Sequence, residues 1–184
     1  NTHLFVYQPA ELGAGQPIPL TRLTNGPWDD INPAISPDGQ MVAFASNRTG
    51  YWDIYLLDLD TGGITRLTDT LEYDAAPAWS PDSLWLVYET YLNDNLELKV
   101  QSIAAPGDVI LLTDNPAADF SPAWSPQGRK IAFVSNRSGE NEIWLADLDK
   151  GEEERFQNLS QNPSSRDTHP AWSPDGSTIV WASE

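Results

Sequence analysis

Short apolar runs alternate with turn residues along the whole chain, and this alternation itself repeats. A Pro-Ala-Trp-Ser-Pro-Asp-Gly segment or a close variant begins at Pro33, Pro77, Pro122 and Pro170, at intervals of 44, 45 and 48 residues. Each repeat contains four runs of strand length, separated by Gly, Pro, Asp and Asn. A period in this range is typical of a propeller or a solenoid. The pattern therefore predicts an all-β protein, a β-propeller of four-stranded antiparallel blades with four blades per chain.

The four strands of each repeat, designated a to d, differ in character. Strand a is the Pro-Ala-Trp-Ser run, and the Ser-Pro-Asp-Gly that ends it predicts a hairpin turn, because glycine readily adopts positive φ. Strand b, such as residues 42–46, is the most apolar, and its alternate residues should pack against a neighbouring blade. Strand d, such as residues 64–68, is more polar and is expected at the outer edge.

The two ends of the chain look complementary. Residues 4–7 match strand c and residues 20–24 match strand d, whereas the last repeat ends after strand b. We therefore expect one propeller domain over residues 1–184. Its blades would span about 25–68, 69–113, 114–160, and 161–184 together with 1–24.

Two architectures would complete the last blade. The N-terminal strands could close a four-bladed ring within their own chain, or they could be exchanged in a homodimer of eight blades. Either closure would remove exposed strand edges. A third interpretation is that the sequence is a piece of a larger propeller.

The composition excludes several classes of function. Twenty-seven acidic and ten basic residues give a net charge of −17, which repels nucleic acid and anionic lipid. The absence of cysteine excludes a thiolate metal site and a cysteine nucleophile. No run approaches the roughly 20 apolar residues of a membrane span, so membrane insertion is not expected. The sequence also lacks a Gly-x-Ser-x-Gly elbow and a phosphate-binding glycine loop.

Several motifs occur together in each repeat. Three repeats carry Trp-Ser-Pro, and two carry Ser-Asn-Arg, at residues 46–48 and 135–137, followed by an acidic residue and an apolar strand c. Together they resemble the TolB-type β-propeller repeat, which is distantly similar to the WD repeat, over essentially the whole chain. The second repeat departs from this pattern, with Thr90-Tyr91-Leu92 in place of Ser-Asn-Arg.

The resemblance implies blades arranged radially around a channel, with strand a innermost. It also implies a periplasmic or extracellular protein that works through protein contacts. No cofactor is expected.

Candidate functional residues cluster on one face of the predicted disc. This face, here the loop face, carries the d-to-a and b-to-c loops, and the opposite turn face carries the a-to-b and c-to-d turns. An aspartate stands three positions before each strand-a proline: Asp30, Asp74, Asp119 and Asp167. The four carboxylates could form a ring that attracts a cation or a basic peptide. Alternatively, each could cap its own loop or pair with Arg48 or Arg137 of the Ser-Asn-Arg motifs.

Two histidines and several aromatic residues complete the candidate set. His169 follows the last aspartate of the column, and His3 falls in the strand-c column of Asp53, Glu97 and Glu142. Two histidines without metal-ligand spacing do not predict a zinc site. The loop face also contains aromatic residues that would either anchor a partner or pack against the adjacent blade: Trp28, Tyr51, Tyr73 and Phe120. The strand-a tryptophans are expected between blades: Trp79, Trp124 and Trp172.

These residues favour a non-enzymatic scaffold that binds a protein or peptide, preferably a basic one, on the loop face. The predicted binding residues are Asp30, Asp74, Asp119, Asp167, His169, Arg48, Arg137, Trp28, Tyr73 and Phe120, and no catalytic or metal-binding residue is predicted. Two enzyme-related alternatives stay open. The chain could be a regulatory propeller of a larger enzyme such as a serine peptidase. It could also be a metal-dependent hydrolase or lactonase that uses the aspartate ring and His169.

Overall fold

The computed structural model describes residues 1–7 and 20–184, and the regular structure in this part of the chain is β-sheet. No helix in these residues is long and apolar enough to cross a membrane. The strands are β1 (Phe5–Val6), β2 (Thr21–Arg22), β3 (Asp30–Ile35), β4 (Met41–Ser46), β5 (Asp53–Asp58), β6 (Ile64–Arg66), β7 (Asp74–Trp79), β8 (Trp85–Leu92), β9 (Asn95–Ser102), β10 (Val109–Leu111), β11 (Asp119–Trp124), β12 (Lys130–Ser135), β13 (Glu142–Asp147), β14 (Phe156–Asn158), β15 (Asp167–Trp172) and β16 (Ile179–Ser183).

The described strands form three four-stranded antiparallel blades and two two-stranded sheets. Blade 1 is β3 to β6, blade 2 is β7 to β10 and blade 3 is β11 to β14, each in sequence order. The strands β1 and β2 pair with each other, and β15 pairs with β16 to form the a and b strands of blade 4. The predicted all-β fold of four-stranded antiparallel blades is confirmed. Strand a begins earlier than the sequence pattern indicated, at the aspartate of each repeat.

Every strand a contains the same irregularity. Its register with strand b shifts at the third and fourth residues, and the third residue has positive φ in each case. A bulge of this kind re-aims side chains locally, and positive φ is uncommon outside glycine. The residues at this position are Asn32 (φ 51°), Ala76 (φ 50°), Ser121 (φ 51°) and His169 (φ 56°).

The a-to-b turns adopt the predicted hairpin geometry. In blade 1 the Ser36 hydroxyl donates to the Asp38 carboxylate at 2.5 Å, and Gly39 has φ 73°. Ser83 takes the place of this glycine in blade 2 and is held at φ 60°, a strained conformation for a residue with a Cβ.

The b-to-c connection of blade 2 differs from those of blades 1 and 3. Where Ser-Asn-Arg is missing, β8 and β9 continue to the pair Leu92 and Asn95, joined by a two-residue turn. Asn93 and Asp94 both have positive φ, at 53° and 63°, as a type I′ hairpin turn requires. The sequence departure therefore produces a longer hairpin on the loop face.

Strand b supplies the contacts between blades because its alternate residues face opposite neighbours. In blade 2, Leu86 and Tyr88 pack in a cluster with Ala43 and Ala45 of blade 1. Val87, which points to the other side of the sheet, packs in a second cluster with residues of blade 3. These strand-b side chains are almost fully buried. The core of the molecule is thus a series of apolar layers between blades.

Two strand-a tryptophans add hydrogen bonds to these layers. The indole of Trp79 donates to the carbonyl of Ala34 in blade 1 at 2.9 Å, and that of Trp172 donates to Ala123 in blade 3 at 3.0 Å. Both therefore lie between blades, as expected. Trp124 packs against the blade 2 and 3 cluster, but its indole donates to Gly128 within its own turn.

The four strands a line a common central cavity of about 530 Å³. Equivalent residues of all four blades contribute to it, such as Ala34, Ala78, Ala123 and Ala171. This arrangement agrees with strand a as the innermost strand.

The structure does not confirm how the last blade is completed, and its completion by the N-terminal strands stays a prediction. Leu4 is buried against Val42 and Phe44, so the β1–β2 hairpin packs beside blade 1. Within the described residues β1 pairs with β2 and β16 pairs with β15, and the two hairpins form separate sheets. Val180 and Trp181 on the edge strand β16 are 61% and 40% exposed.

Completion of blade 4 by a second copy of the chain is a prediction that follows from this geometry. If the hairpin of one copy pairs with β16 of another, sedimentation equilibrium will give about twice the 20.4 kDa of one chain. Val180→Lys would place a charge in the joint and shift the mass toward one chain, whereas the exposed Leu84→Lys on the turn face would not. A single-chain mass for the unsubstituted protein at high concentration would contradict the exchange.

Candidate functional site

The four predicted aspartates are the first residues of β3, β7, β11 and β15, and all are buried, with at most 1% exposure. In blades 1 and 3 each carboxylate forms an ion pair with the arginine of its own blade. Arg48 Nη2 lies 2.9 Å from Asp30 Oδ1, and Arg137 Nη2 lies 2.7 Å from Asp119 Oδ2. The predicted pairing of these aspartates with the Ser-Asn-Arg arginines is confirmed.

Aromatic rings surround both arginines. The Arg48 guanidinium lies over the rings of Trp28, Phe44 and Tyr55, with 4.5 Å to the nearest centroid. The Arg137 guanidinium lies over the rings of Phe133, Trp144 and Phe156, with 4.7 Å to the nearest centroid. A cation over an aromatic face is stabilised by the ring quadrupole. Each guanidinium therefore contacts both the aspartate at the start of strand a and the surrounding aromatic rings.

Blade 2 lacks the arginine, and its buried aspartate is stabilised by different residues. Asp74 accepts hydrogen bonds from the hydroxyls of Thr90 at 2.6 Å and Thr70 at 3.0 Å. The cation is Lys99, whose Nζ lies 2.7 Å from Glu72 Oε2. Lys99 occupies the strand-c position that Tyr55 and Trp144 occupy in the other blades, as the strand registers show. A lysine on strand c thus places a positive charge near Asp74, although its ion pair is with Glu72.

The strand-c column that contains His3 lies next to the aspartate column of the following blade. His3 Nδ1 is 3.9 Å from Asp30 Oδ2. Asn115 connects Glu97 of blade 2 to Asp119 of blade 3. Its backbone N–H donates to Glu97 at 3.1 Å, and its side chain donates to Asp119 at 2.7 Å. The two columns therefore form a row of polar contacts along the blade junctions.

The pKa values of the buried carboxyl groups shift in both directions. Burial raises the pKa of Asp30, but hydrogen bonds from Ser46, Thr24 and Arg48 outweigh it and hold the pKa below its usual range. Asp167 follows the same pattern. For Asp74 burial prevails and the pKa is raised, although Thr90, Thr70 and Lys99 oppose it.

Glu89 is a candidate that the sequence analysis did not single out. Its carboxylate accepts the backbone N–H of Ser121, the bulge residue of blade 3, at 3.1 Å. Burial raises the pKa of Glu89. Burial and the nearby charge of Glu89 also raise the pKa of Tyr73. Glu89 stands where blades 1 and 3 have Ala45 and Val134, so a comparison of the aligned repeats would have revealed it.

His169 lies on the innermost strand of blade 4, with its side chain exposed. Within residues 1–7 and 20–184, its one hydrogen bond joins Nδ1 to the Thr168 hydroxyl at 3.0 Å. The same residues contain no group of three or more His, Asp or Glu side chains placed to hold a metal ion. The observed partners of Asp30, Asp74 and Asp119 are those of the capping and pairing role.

The predicted aromatic anchors are packed to different degrees. Trp28 is half-buried, and a Cβ on Gly26 would lie 2.1 Å from its ring, so glycine is required there. Tyr73 is half-buried against Trp52, with 6.4 Å between ring centroids, and Phe120 is also half-buried. Tyr51, in the b-to-c loop of blade 1, is 48% exposed.

Two further apolar residues are exposed beside Tyr51 on the loop face. Leu71 is 79% exposed and Tyr91 is 47% exposed. The segments that carry them are joined by backbone hydrogen bonds, from Asp74 to Trp52 at 2.9 Å and from Tyr91 to Tyr73 at 2.8 Å. The three exposed side chains therefore stand on adjoining loops of blades 1 and 2. We call Tyr51, Leu71 and Tyr91 the apolar patch.

Comparison with known proteins agrees with this architecture. The family described as the TolB beta propeller domain matches residues 19–91 and 72–184. The chain belongs to the TolB β-propeller family. The Tol-Pal system protein TolB of Hamiltonella defensa is 33% identical over 89 residues, which cover 48% of this chain and 20% of that protein. The crystal structure of TolB from Acinetobacter baumannii superposes with a TM-score of 0.80 at 25% identity, covering 89% of this chain and 40% of that chain.

The relatives include an enzyme as well. Dipeptidyl-peptidase 5 of Porphyromonas endodontalis is 37% identical over 78 residues, which cover 38% of this chain and 11% of that protein. This TolB-type propeller thus spans well under two thirds of the length of the relatives named here.

The buried ion pairs of this TolB-type propeller predict that two aspartates differ greatly in their contribution to the free energy of unfolding. Asp119→Ala would leave the Arg137 charge without its buried partner, and we expect a loss of about 3 kcal/mol in the free energy of unfolding. Asp69→Ala removes an 84% exposed partner of Arg66 and should cost at most about 1 kcal/mol. Urea denaturation of both variants measures the two losses, and equal losses would contradict the structural role of Asp119.

The raised pKa of Glu89 predicts a pH-dependent effect on stability. Because the folded protein favours the protonated carboxyl, Glu89 stabilises the fold fully below the ordinary glutamate pKa of 4.5, and this contribution is lost as pH rises through the raised pKa. Relative to the unsubstituted protein, Glu89→Gln should therefore become more stable from about pH 4 to about pH 8. Denaturation at several pH values tests this, with the exposed Glu152→Gln as control. A constant difference between the two proteins across this range would contradict it.

Proposed function

We propose that the chain is a non-enzymatic propeller scaffold that binds a protein or peptide on its loop face. The apolar patch is the observation that carries this proposal. Large aromatic and aliphatic side chains on adjoining loops provide anchors whose burial contributes most of the binding energy at interfaces. Their loops rise from a rigid set of blades, so little ordering is required on binding.

The charge of the surrounding surface favours a basic partner. The net charge of the chain is −17, and the loops of the same face carry exposed carboxylates, among them Asp69, Asp94 and Asp114. A negative potential of this kind attracts cationic segments and accelerates their association. The partner should therefore present an apolar or aromatic residue next to lysine or arginine.

The internal bonding of the aspartate column supports a scaffold over a catalyst. Asp30 and Asp119 are already paired with arginine, and Asp74 accepts two threonine hydroxyls. His169 is bonded to a neighbouring hydroxyl. These groups hold the loops in place, and the apolar patch beside them is free to contact a partner. The predicted residues Trp28, Tyr73 and Phe120 would act as the packed base beneath it.

A second candidate function is regulation of a larger enzyme. The similarity to part of dipeptidyl-peptidase 5 favours it, since a repeat of this type is present in a peptidase. In that case the loop face would contact a catalytic domain instead of a separate partner. A periplasmic or extracellular location is proposed for either function, on the strength of the Tol-Pal relatives.

A selection experiment tests the scaffold proposal. Random 12-residue peptides displayed on phage, selected against the folded chain, should yield sequences rich in lysine or arginine with an apolar residue. Their affinity should fall at least about tenfold in the combined variant Tyr51→Ala and Leu71→Ala, since two anchors are removed. It should also fall as salt rises.

The control for this selection lies on the turn face. Leu84→Ala removes a comparably exposed apolar side chain, 53% exposed, and should leave the affinity of the selected peptides unchanged. Selected peptides that are acidic, or that bind the loop-face variant as well as the unsubstituted protein, would refute the proposal.

A further inference from the structure

A second cavity lies on the turn face, at the junction of blades 2 and 3. Its volume is about 350 Å³, within the range of pockets that hold small organic groups. Its lining is mainly apolar and includes two tryptophans, Trp85 and Trp124. Both indoles are held by packing against the apolar cluster between the blades, and Trp124 is also held by its bond to Gly128. The walls are therefore preformed.

Two arginines, Arg129 and Arg155, line the same cavity. Arg129 contacts Asp149 through Nε at 3.3 Å, and both side chains are largely exposed. The Nε of Arg155 is buried and has no hydrogen-bond partner among the described residues. A buried donor without an acceptor is costly, so an acceptor is expected to occupy the cavity.

Among the aligned repeats, only the one that forms this junction has arginine at these two positions. At the position of Arg129 the other repeats have Gln40, Leu84 and Ser177. At the position of Arg155, which the strand registers place just before strand d, blades 1 and 2 have Gly63 and Asp108. The chain has only ten basic residues, and two of them face one apolar cavity. Repeat architecture does not require this arrangement.

We propose that this cavity binds an apolar carboxylate, a carboxylate group carried by an aromatic or branched aliphatic body of one or two residues in size. The apolar body would lie between Trp85 and Trp124, and the carboxylate would accept hydrogen bonds from Arg155 and Arg129. Guanidinium groups suit carboxylates because their N–H donors match the two oxygens. Asp82 also lines the cavity, but its carboxylate accepts the Ser80 hydroxyl and the backbone N–H of Leu84. Exposed charges more than about 8 Å away are screened at physiological salt.

This site is separate from the proposed peptide-binding surface. The cavity opens on the turn face, between the a-to-b turns, whereas the apolar patch lies on the loop face. The two proposals therefore do not depend on each other, and a negative result for one does not contradict the other.

Binding is tested with three small probes and one peptide. Titration with N-acetylphenylalanine should shift the indole N–H resonances of Trp85 and Trp124 in a nitrogen-15 correlation spectrum. N-acetylphenylalanine amide, which lacks the charge, and acetate, which lacks the apolar body, should bind at least about tenfold more weakly. A peptide that ends in phenylalanine with a free carboxylate distinguishes the source of the ligand. Tighter binding than the small acid favours a peptide terminus, and weaker binding favours a free acid.

Variants separate the roles of charge and shape. Arg155→Met should weaken binding of N-acetylphenylalanine at least about tenfold, whereas Arg166→Met, at a 70% exposed arginine elsewhere, should change it less than twofold. Ile110→Glu places a negative charge at the exposed edge of the cavity and should also weaken binding, without disturbing the core, since Ile110 is 54% exposed. The proposal is overturned if the amide binds as well as the acid. It is equally overturned if neither Arg155→Met nor Ile110→Glu has an effect, or if no probe shifts the two indoles.

Discussion

The structure depends on the apolar layer that joins each blade to the next. Strand b presents its alternate residues to opposite neighbours, so Tyr88 packs with blade 1 while Val87 packs with blade 3. A single blade has two apolar faces and cannot bury both by itself. Stacking therefore provides most of the stabilisation, as in other repeat architectures. The tryptophan bonds from Trp79 to Ala34 and from Trp172 to Ala123 lie within these same layers.

Polar groups at the loop face are arranged around this apolar framework. The first residue of strand a is a buried aspartate in all four repeats, and a cation balances it in blades 1 and 3 through Arg48 and Arg137. In blade 2 the aspartate accepts threonine hydroxyls instead, and Lys99 pairs with the neighbouring Glu72. The loops that carry the apolar patch are thus held at their base by buried ion pairs and hydrogen bonds. A rigid base with exposed anchors is the physical basis of the proposed scaffold.

The sequence predicted the parts of the fold that depend on local pattern. Strand order, the Ser-Pro-Asp-Gly turns and the pairing of Arg48 with Asp30 all follow from residues whose spacing is regular within a repeat. Completion of the last blade by the N-terminal strands stays a prediction, because it depends on how the blades are arranged around the whole ring, which no local pattern encodes. The roles of Glu89 and Lys99 were missed because they appear only when strand positions are compared between blades.

Backbone hydrogen exchange tests the central claim, that the layers between blades hold the molecule together. The account predicts that amides of the middle strands β4 and β8 exchange slowest and at similar rates, since each lies between two apolar layers. Those of the outer strands β6 and β10 should exchange much faster. Middle strands that exchange as quickly as β6 and β10 would contradict the account, because the layers would then contribute little to stability.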